Sequence, residues 1–261
     1  MEINLKNKTA CVFGGSSGIG KAIAIELSKA GANIIIIGRN SLRLSQALGE
    51  LFKKDGQTHD CIVVDMGRPD DLLNAFKSYP NLKSIDIIIN NSGGPPAGPA
   101  HLAEADEYIA AFKQHLIAAQ TVLQLTVQFM KKNKFGRIIN IISTSVKQPI
   151  RGLGVSNTIR GAVANWSKTL SFELAPFGIT VNNILPGATK TGRLVEIINN
   201  KANDSHGSLG GVEMEMKKII PVGRFAEPKE IAYTALFLSS NYAAYINGVN
   251  IPVDGGRTGC L

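Results

Sequence analysis

Cysteine is sparse in this chain. Cys11, Cys61 and Cys260 are an odd set of three among 261 residues, and their spacing matches no metal site. No disulfide framework and no metal centre follow, and a reducing, cytoplasmic setting fits. Long apolar runs are missing too. Nothing approaches the ~20 residues needed to cross a bilayer, and the opening Met1-Glu2-Ile3-Asn4-Leu5-Lys6 lacks the apolar core of a signal peptide. No membrane association is expected. Aromatic residues make up only 6%, and the Lys and Arg residues behind the formal charge of +8 are scattered. A basic run interleaved with aromatics is what stacking on bases requires, so nucleic acid is not the expected partner. The charge is read either as a plain soluble surface or as a preference for an anionic ligand, such as a phosphorylated cofactor or an acyl carrier. There is no linker, repeat or low-complexity segment, and residues 1–261 read as a single domain with a substantial core.

What is present is an alternation. Short, continuous runs rich in Val and Ile occur at Thr9–Phe13, Asn33–Ile37, Asp60–Val64, Ile85–Ile89, Arg137–Ile142, Thr180–Leu185 and Val249–Val253. Such runs suit strands buried on both faces, and Cys11 and Cys61 fall within them. Between them lie helical patterns at Gly20–Ala30, Leu42–Lys54, Asp70–Ser78, Glu104–Lys132, Val155–Ala175 and Pro228–Leu238. The expected fold class is α/β, a doubly wound parallel sheet with helices on both faces. Only Gly192–Ile220 breaks the rhythm. It is long, polar and glycine-containing, and is expected to act as a loop-like lid over substrate. Leu194, Ile197, Ile198 and Met214 would form its apolar wall, and Lys201, Lys217 and Lys218 its anion contacts; helix patterning accounts for many of these equally well.

The first strand runs into Gly14-Gly15-Ser16-Ser17-Gly18-Ile19-Gly20, and a helical pattern follows. Strand, glycine turn and helix form a phosphate-binding construction. Glycines permit a sharp turn and close backbone approach, and a helix N-terminus offers N–H groups and partial positive charge. Dinucleotide binding is therefore expected through Gly14, Ser16, Ser17, Gly18, Ile19 and Gly20. After the second strand, no acidic residue is available for a ribose 2′-hydroxyl; Arg39 stands there instead. Its fork suits a 2′-phosphate, which favours NADP(H) over NAD(H), although a solvated surface arginine would look the same. Asp65 and Met66 lie where an adenine edge would rest; Asp65 could also simply cap the next turn. Asn90, Ser92 and Gly93 end the fourth strand, either as a cofactor-facing opening or as a plain turn.

This combination resembles the short-chain dehydrogenase/reductase family. The resemblance is carried by Gly14-x3-Gly18-Ile19-Gly20, by Asn90-Asn91-Ser92-Gly93, by Gly136-Arg137-Ile138-Ile139-Asn140-Ile141-Ile142-Ser143 and by Pro186-Gly187. The ending is also similar, from Pro221-Val222-Gly223-Arg224 through Tyr245-Ile246-Asn247-Gly248 to Val253-Asp254-Gly255-Gly256. The resemblance spans essentially the whole chain. It implies a Rossmann-like fold, a nicotinamide cofactor and a homotetramer; Thr189 and Thr191, after Pro186 and Gly187, are candidates to bond the nicotinamide carboxamide, with helix capping as the other reading of both.

It also exposes departures. The family's chemistry rests on a Ser, a Tyr-x-x-x-Lys and an Asn in the preceding long helix. Counting from Ser143, the Tyr position holds Ser156, the Lys position Arg160 and the Asn position His115; Phe13 stands where Thr is usual. A Tyr starts near ~10 and can be tuned into a general acid, whereas a Ser hydroxyl cannot. Arg160 could hold ribose hydroxyls and supply charge but cannot relay a proton as Lys does. Ser143, Ser156 and Arg160 remain a candidate polarising set for a carbonyl. His115 is a candidate proton source, against the blander reading of a packed core histidine, and Lys147 is a second candidate. The expected function is hydride transfer between NADP(H) and a ketone or secondary alcohol, a 3-oxoacyl thioester and its carrier being one substrate class on resemblance alone. The alternative is a non-catalytic NADP-binding sensor or scaffold.

Overall fold

A computed structural model describes residues 2–54, 56–80, 82, 85–205 and 207–260, with the side chains of 204 and 205 left aside. Met1 of the opening segment and His206 of the Gly192–Ile220 stretch lie outside the described residues. Seven parallel strands form one sheet in the order β3-β2-β1-β4-β5-β6-β7. They are β1 (Thr9–Phe13), β2 (Asn33–Gly38), β3 (His59–Val63), β4 (Ile85–Asn90), β5 (Gly136–Ile141), β6 (Ile179–Pro186) and β7 (Asn250–Val253). Nine helices accompany them among the described residues: α1 (Gly18–Lys29), α2 (Ser41–Gly49), α3 (Pro69–Lys77), α4 (Ala105–Phe112), α5 (Ala118–Asn133), α6 (Gly154–Leu174), α7 (Gly192–Ser205), α8 (Leu209–Lys218) and α9 (Pro228–Ser239). None is long and apolar enough to cross a membrane.

The continuous Ile runs are explained by two cores, one on each face. Alternate side chains Val12, Ile34, Ile36, Ile87, Ile89 and Ile139 pack with Ile23, Leu27, Ile231 and Leu238 of α1 and α9. The intervening set Cys11, Phe13, Ile35, Ile37, Ile88 and Ile138 packs with Leu72, Phe76, Val122 and Leu170 of α3, α5 and α6. Each fully buried side chain of this size is worth about 1.5–3 kcal/mol, so a strand apolar on both sides is stable only between two helical layers. Phe13 lies stacked against Phe76, centroids 6.1 Å apart. The Thr-to-Phe change in the glycine motif therefore fills this second core. Cys61 departs from its expected burial: it is half-exposed because β3 is the sheet edge.

Two segments differ from their sequence expectation in a way that matters for the site. The single long helix expected over Glu104–Lys132 is broken by a π-helical turn, Lys113–Ile117, between α4 and α5. Such wide turns recur at functional sites, and His115 is the middle residue of this one. The expected loop at Gly192–Ile220 is mostly helical, as α7 and α8. Leu194 packs with Ile198, Ile220 and Phe225 as a small core of its own. Met214 is exposed, and Lys217 and Lys218 pair with Glu213 and Glu215 on their own helix, each at 2.6 Å.

Candidate active site

β1 and β4 are adjacent although β2 and β3 lie on the other side of β1, so the chain reverses its winding direction between them. Crevices at the carboxyl ends of strands at such a point are where doubly wound sheets bind ligands. A narrow cleft lies there, lined among others by Phe13, Met66, Asn90, Ser92, His115 and Arg160.

The glycine turn forms its rim. Gly14 and Gly18 have φ of +60° and +54°, which a side chain would strain. A Cβ on Gly14 would lie 2.7 Å from Asn91 Nδ2, and the Asn91 amide donates to the Phe13 carbonyl at 3.2 Å. Ser17 takes an extended N-cap backbone, yet its hydroxyl caps nothing and the first turn of α1 carries no acid. The leading N–H groups of α1 thus have no side-chain acceptor, and a pyrophosphate fits there. Gly18 faces Thr191 across the rim, a Cβ there falling 3.2 Å from the Thr191 methyl carbon. Thr191 and Thr189 donate to the backbone carbonyls of Thr189 and Gly187 at 3.2 and 3.1 Å. Gly187, just after the Pro186 end of β6, backs onto Asp254.

At the other end, Ser16 lies beside Gly38, and Arg39 stands exposed with Nη1 3.8 Å from an Asp65 oxygen. The second Asp65 oxygen accepts from the Gly67 N–H at 2.8 Å. Asp65 thus serves as the cap of its turn, one of the two roles open to it in the sequence. Ile19 packs against the first core, and Gly93 lies open, with the Gln114 amide donating to its carbonyl at 3.1 Å.

His115 is buried, and its Nδ1 lies 2.5 Å from the Ser92 hydroxyl while Nε2 has no partner among the described residues. Burial, with the Arg160 charge second, pushes the imidazole down to about 2. The ring is neutral at physiological pH, so the expectation of a side chain titrating near neutrality is revised by its surroundings. Arg160 is likewise buried; Nη1 donates to the Ile141 carbonyl at 3.0 Å and Nε has no partner. Burial, then the charge of Arg193, lowers the guanidinium to about 10. Ser156 is buried one turn earlier in α6. Ser143 opens the Thr144–Val146 turn after β5, its hydroxyl accepting from the Ser145 N–H at 3.0 Å, and α6 packs against that turn. Ser143 and Ser156 thus sit on adjoining elements beside the cleft rather than in its lining.

Asn140, Asn183 and Asn250 were missed by sequence reasoning, although Asn90 was among the expected cofactor residues. Asn90, Asn140, Asn183 and Asn250 are register partners on four successive strands. Their amides link in a row at 2.7, 2.9 and 2.8 Å, and Ser167 of α6 joins at Asn140. The only signal for the three was an Asn in each of three apolar runs, and strand register is needed to align them with Asn90. Arg193 was missed as well. It opens α7 and donates to the Pro95 carbonyl at 2.7 Å, so it ties α7 to the loop after β4.

Comparison with known proteins agrees with this geometry. A family profile described as enoyl-(acyl carrier protein) reductase matches residues 14–258. The chain is 30% identical to the NADPH-dependent reductase BacG of Bacillus subtilis (strain 168), covering 97% of this chain and 98% of that one. It is 31% identical to the 3-oxoacyl-[acyl-carrier-protein] reductase FabG of Aquifex aeolicus (strain VF5), over 98% and 99%. The structure of L-sorbose reductase from Gluconobacter frateurii, complexed with NADPH and L-sorbose, superposes with a TM-score of 0.92 at 30% identity and full coverage of both chains. With the sheet order, the glycine turn and these likenesses together, the chain belongs to the short-chain dehydrogenase/reductase family of enzymes.

Proposed function

We propose that this enzyme is an NADP(H)-dependent carbonyl reductase, moving hydride between the nicotinamide and a ketone or secondary alcohol. The observation that carries the reading is the uncapped, acid-free N-terminus of α1 beside the β1/β4 cleft. The relatives described above, NADPH-dependent reductases among them, support it.

In this reading the backbone of Gly14, Ser16, Ser17, Gly18, Ile19 and Gly20 holds the pyrophosphate. Arg39 takes the 2′-phosphate, and Asp65 and Met66 border the adenine. Asn90, Ser92 and Gly93 form the wall beside the ribose, and Arg160 holds its hydroxyls. Pro186, Gly187, Thr189 and Thr191 fix the ring end. The bound nicotinamide supplies the hydride. Ser143 and Ser156 donate to the carbonyl oxygen and, with the Arg160 charge, stabilise the alkoxide as it develops. General acid catalysis is worth about 3–5 kcal/mol and alignment about 7–11 kcal/mol. Loss of the Tyr therefore leaves the larger contribution in place. A neutral His115 is a poor acid, so its part is to hold a water that carries the proton. Residues 1–261 act as one domain, with α7 and α8 closing over substrate. The exposed Ile109 and Phe112 of α4 and Phe172 of α6 are the faces through which a cytoplasmic homotetramer would form.

The test is titration with NADPH and NADH, followed by nicotinamide absorbance with neutral ketones, 2-oxo acids and 3-oxoacyl thioesters. NADPH binding together with turnover of at least one carbonyl is expected. NADPH binding without oxidation by any carbonyl would refute the reductase reading.

A further inference from the structure

The π-helical turn between α4 and α5 grips the end of β4 with two successive side chains. The Gln114 amide donates to the Gly93 carbonyl at 3.1 Å, and the His115 ring meets the Ser92 hydroxyl through Nδ1 at 2.5 Å. Ser92 is half-buried, whereas His115 is only 7% exposed. Both line the cleft, and the Nε2 of the ring has no partner among the described residues.

A neutral imidazole carries one proton, so one nitrogen donates and the other accepts. The bond to Ser92 suits both tautomers, because a hydroxyl donates as readily as it accepts. The other side of the ring breaks the tie. If the Ser92 hydroxyl donated to Nδ1, Nε2 would carry a buried N–H with nothing to receive it. That N–H would also lie in the field of a cation, since the charge that reaches the ring is the Arg160 guanidinium. In the other tautomer Nδ1–H donates to the Ser92 oxygen, and Nε2 offers a lone pair to the same positive field. Buried donors without acceptors are rarer than under-used acceptors, and leaving one unpaired is costly. Ser92, being half-buried, keeps its own O–H free for solvent or a bound ligand.

We propose that Ser92 is a positioning residue: by accepting the Nδ1 proton it locks His115 in the tautomer with a lone pair on Nε2, so the cleft presents a hydrogen-bond acceptor for an O–H group. Nε2 then takes a hydroxyl or a water and turns away carbonyl and carboxylate oxygens. Two sources of that O–H belong to the function proposed above, a hydroxyl of the cofactor ribose and the water assigned to His115. The identity of the O–H rests on that reading; the tautomer does not.

The chain has four histidines. In protein labelled with 15N-histidine, the His115 signals are those lost in His115→Gln. Long-range proton–nitrogen correlation at pH 7.5, without cofactor, should show a protonated Nδ1 and a bare Nε2. Ser92→Ala should give a mixture containing Nε2–H, and Ser92→Thr should restore the wild-type pattern. An Nε2–H ring in the wild type overturns the inference, and so does a Ser92→Ala ring that keeps the wild-type pattern.

Calorimetry with two probes identifies the O–H: 2′,5′-ADP lacks the second ribose, and 2′-phospho-ADP-ribose carries it. Where a ribose hydroxyl is the donor, Ser92→Ala and His115→Phe should weaken 2′-phospho-ADP-ribose by about 5- to 10-fold and leave 2′,5′-ADP unchanged. Where the water is the donor, both affinities hold and kcat falls by about 10-fold. Variants that move neither affinity nor kcat overturn the acceptor role. The wild-type spectrum decides the tautomer even where His115→Phe does not fold. Failure of every carbonyl to oxidise NADPH would sink the reductase reading and leave the spectrum standing; an Nε2–H ring would do the reverse.

Discussion

Asn90 and Asn140 stand opposite each other on β4 and β5, and their side chains are joined at 2.7 Å in the wall of the cleft. Asn140 is fully buried, and its amide also donates to Asn183 and Ser167. Removing a hub of this kind strands several buried polar groups at once. Asn140→Ala should therefore lower stability by about 2–4 kcal/mol in urea unfolding. It should also weaken cofactor binding, because Asn90 loses the partner that orients it. Unchanged unfolding would mean that the row of amides contributes no net stability.

His115 predicts a specific pH dependence of stability. In the folded chain the ring stays neutral down to about 2; in the unfolded chain it protonates near ~6.5. Between those values the unfolded chain takes up the extra proton. The stability gained by keeping the ring neutral is thus complete above ~6.5 and falls as the pH drops, by at most about 1.4 kcal/mol per pH unit. Chemical denaturation at pH 7.5, 6.5 and 5.5 should show a shallower decline for His115→Gln than for the wild type. Parallel slopes would place the ring in contact with water.

Arg39 is the side chain asked to choose between cofactors. Arg39→Glu replaces a phosphate partner by a repulsive charge and leaves Asp65 without its cationic neighbour. Affinity for NADPH should drop by about 10- to 100-fold, while affinity for NADH changes little. Fluorescence titration with both nucleotides reads the two effects separately.

Ser156→Ala tests carbonyl polarisation. Ser156 is buried in the first turns of α6, so the loss of its hydroxyl should show in kcat. A fall of about 10- to 1000-fold with NADPH affinity held within a few-fold is expected. Equal losses in both would assign Ser156 a packing role instead.

Gly18→Ala acts at the rim. It places a Cβ at a φ of +54° and against Thr191. Weaker NADPH binding, by at least about 10-fold, should accompany a stability loss of about 1–2 kcal/mol. Intact binding would detach the glycine turn from the cofactor.

The parts of this molecule legible in its sequence are those governed by local rules. The Ile runs of β2 and β4 are buried on both faces, and unbroken apolarity says so directly. The turn at Gly14, Gly18 and Gly20 announces itself through residues that tolerate positive φ. The π-helical turn at His115 does not, since one extra residue in a turn scarcely disturbs an apolar stripe. The helical character of α7 and α8 was legible only in part, because Asn199, Asn200, Gly210 and Gly211 dilute the pattern. The identity of Arg160 was plain, but its lack of a counter-charge is a property of every element around it.

Arg193 divides one guanidinium three ways: it fastens α7 to the Pro95 carbonyl, pairs with Glu196 at 3.2 Å and adds to the positive field at Arg160. Geometry and voltage at the mouth are therefore geared together. Any outward swing of α7 that breaks the fastening also carries this guanidinium away from Arg160, so opening the mouth and easing the repulsion inside it would be one motion.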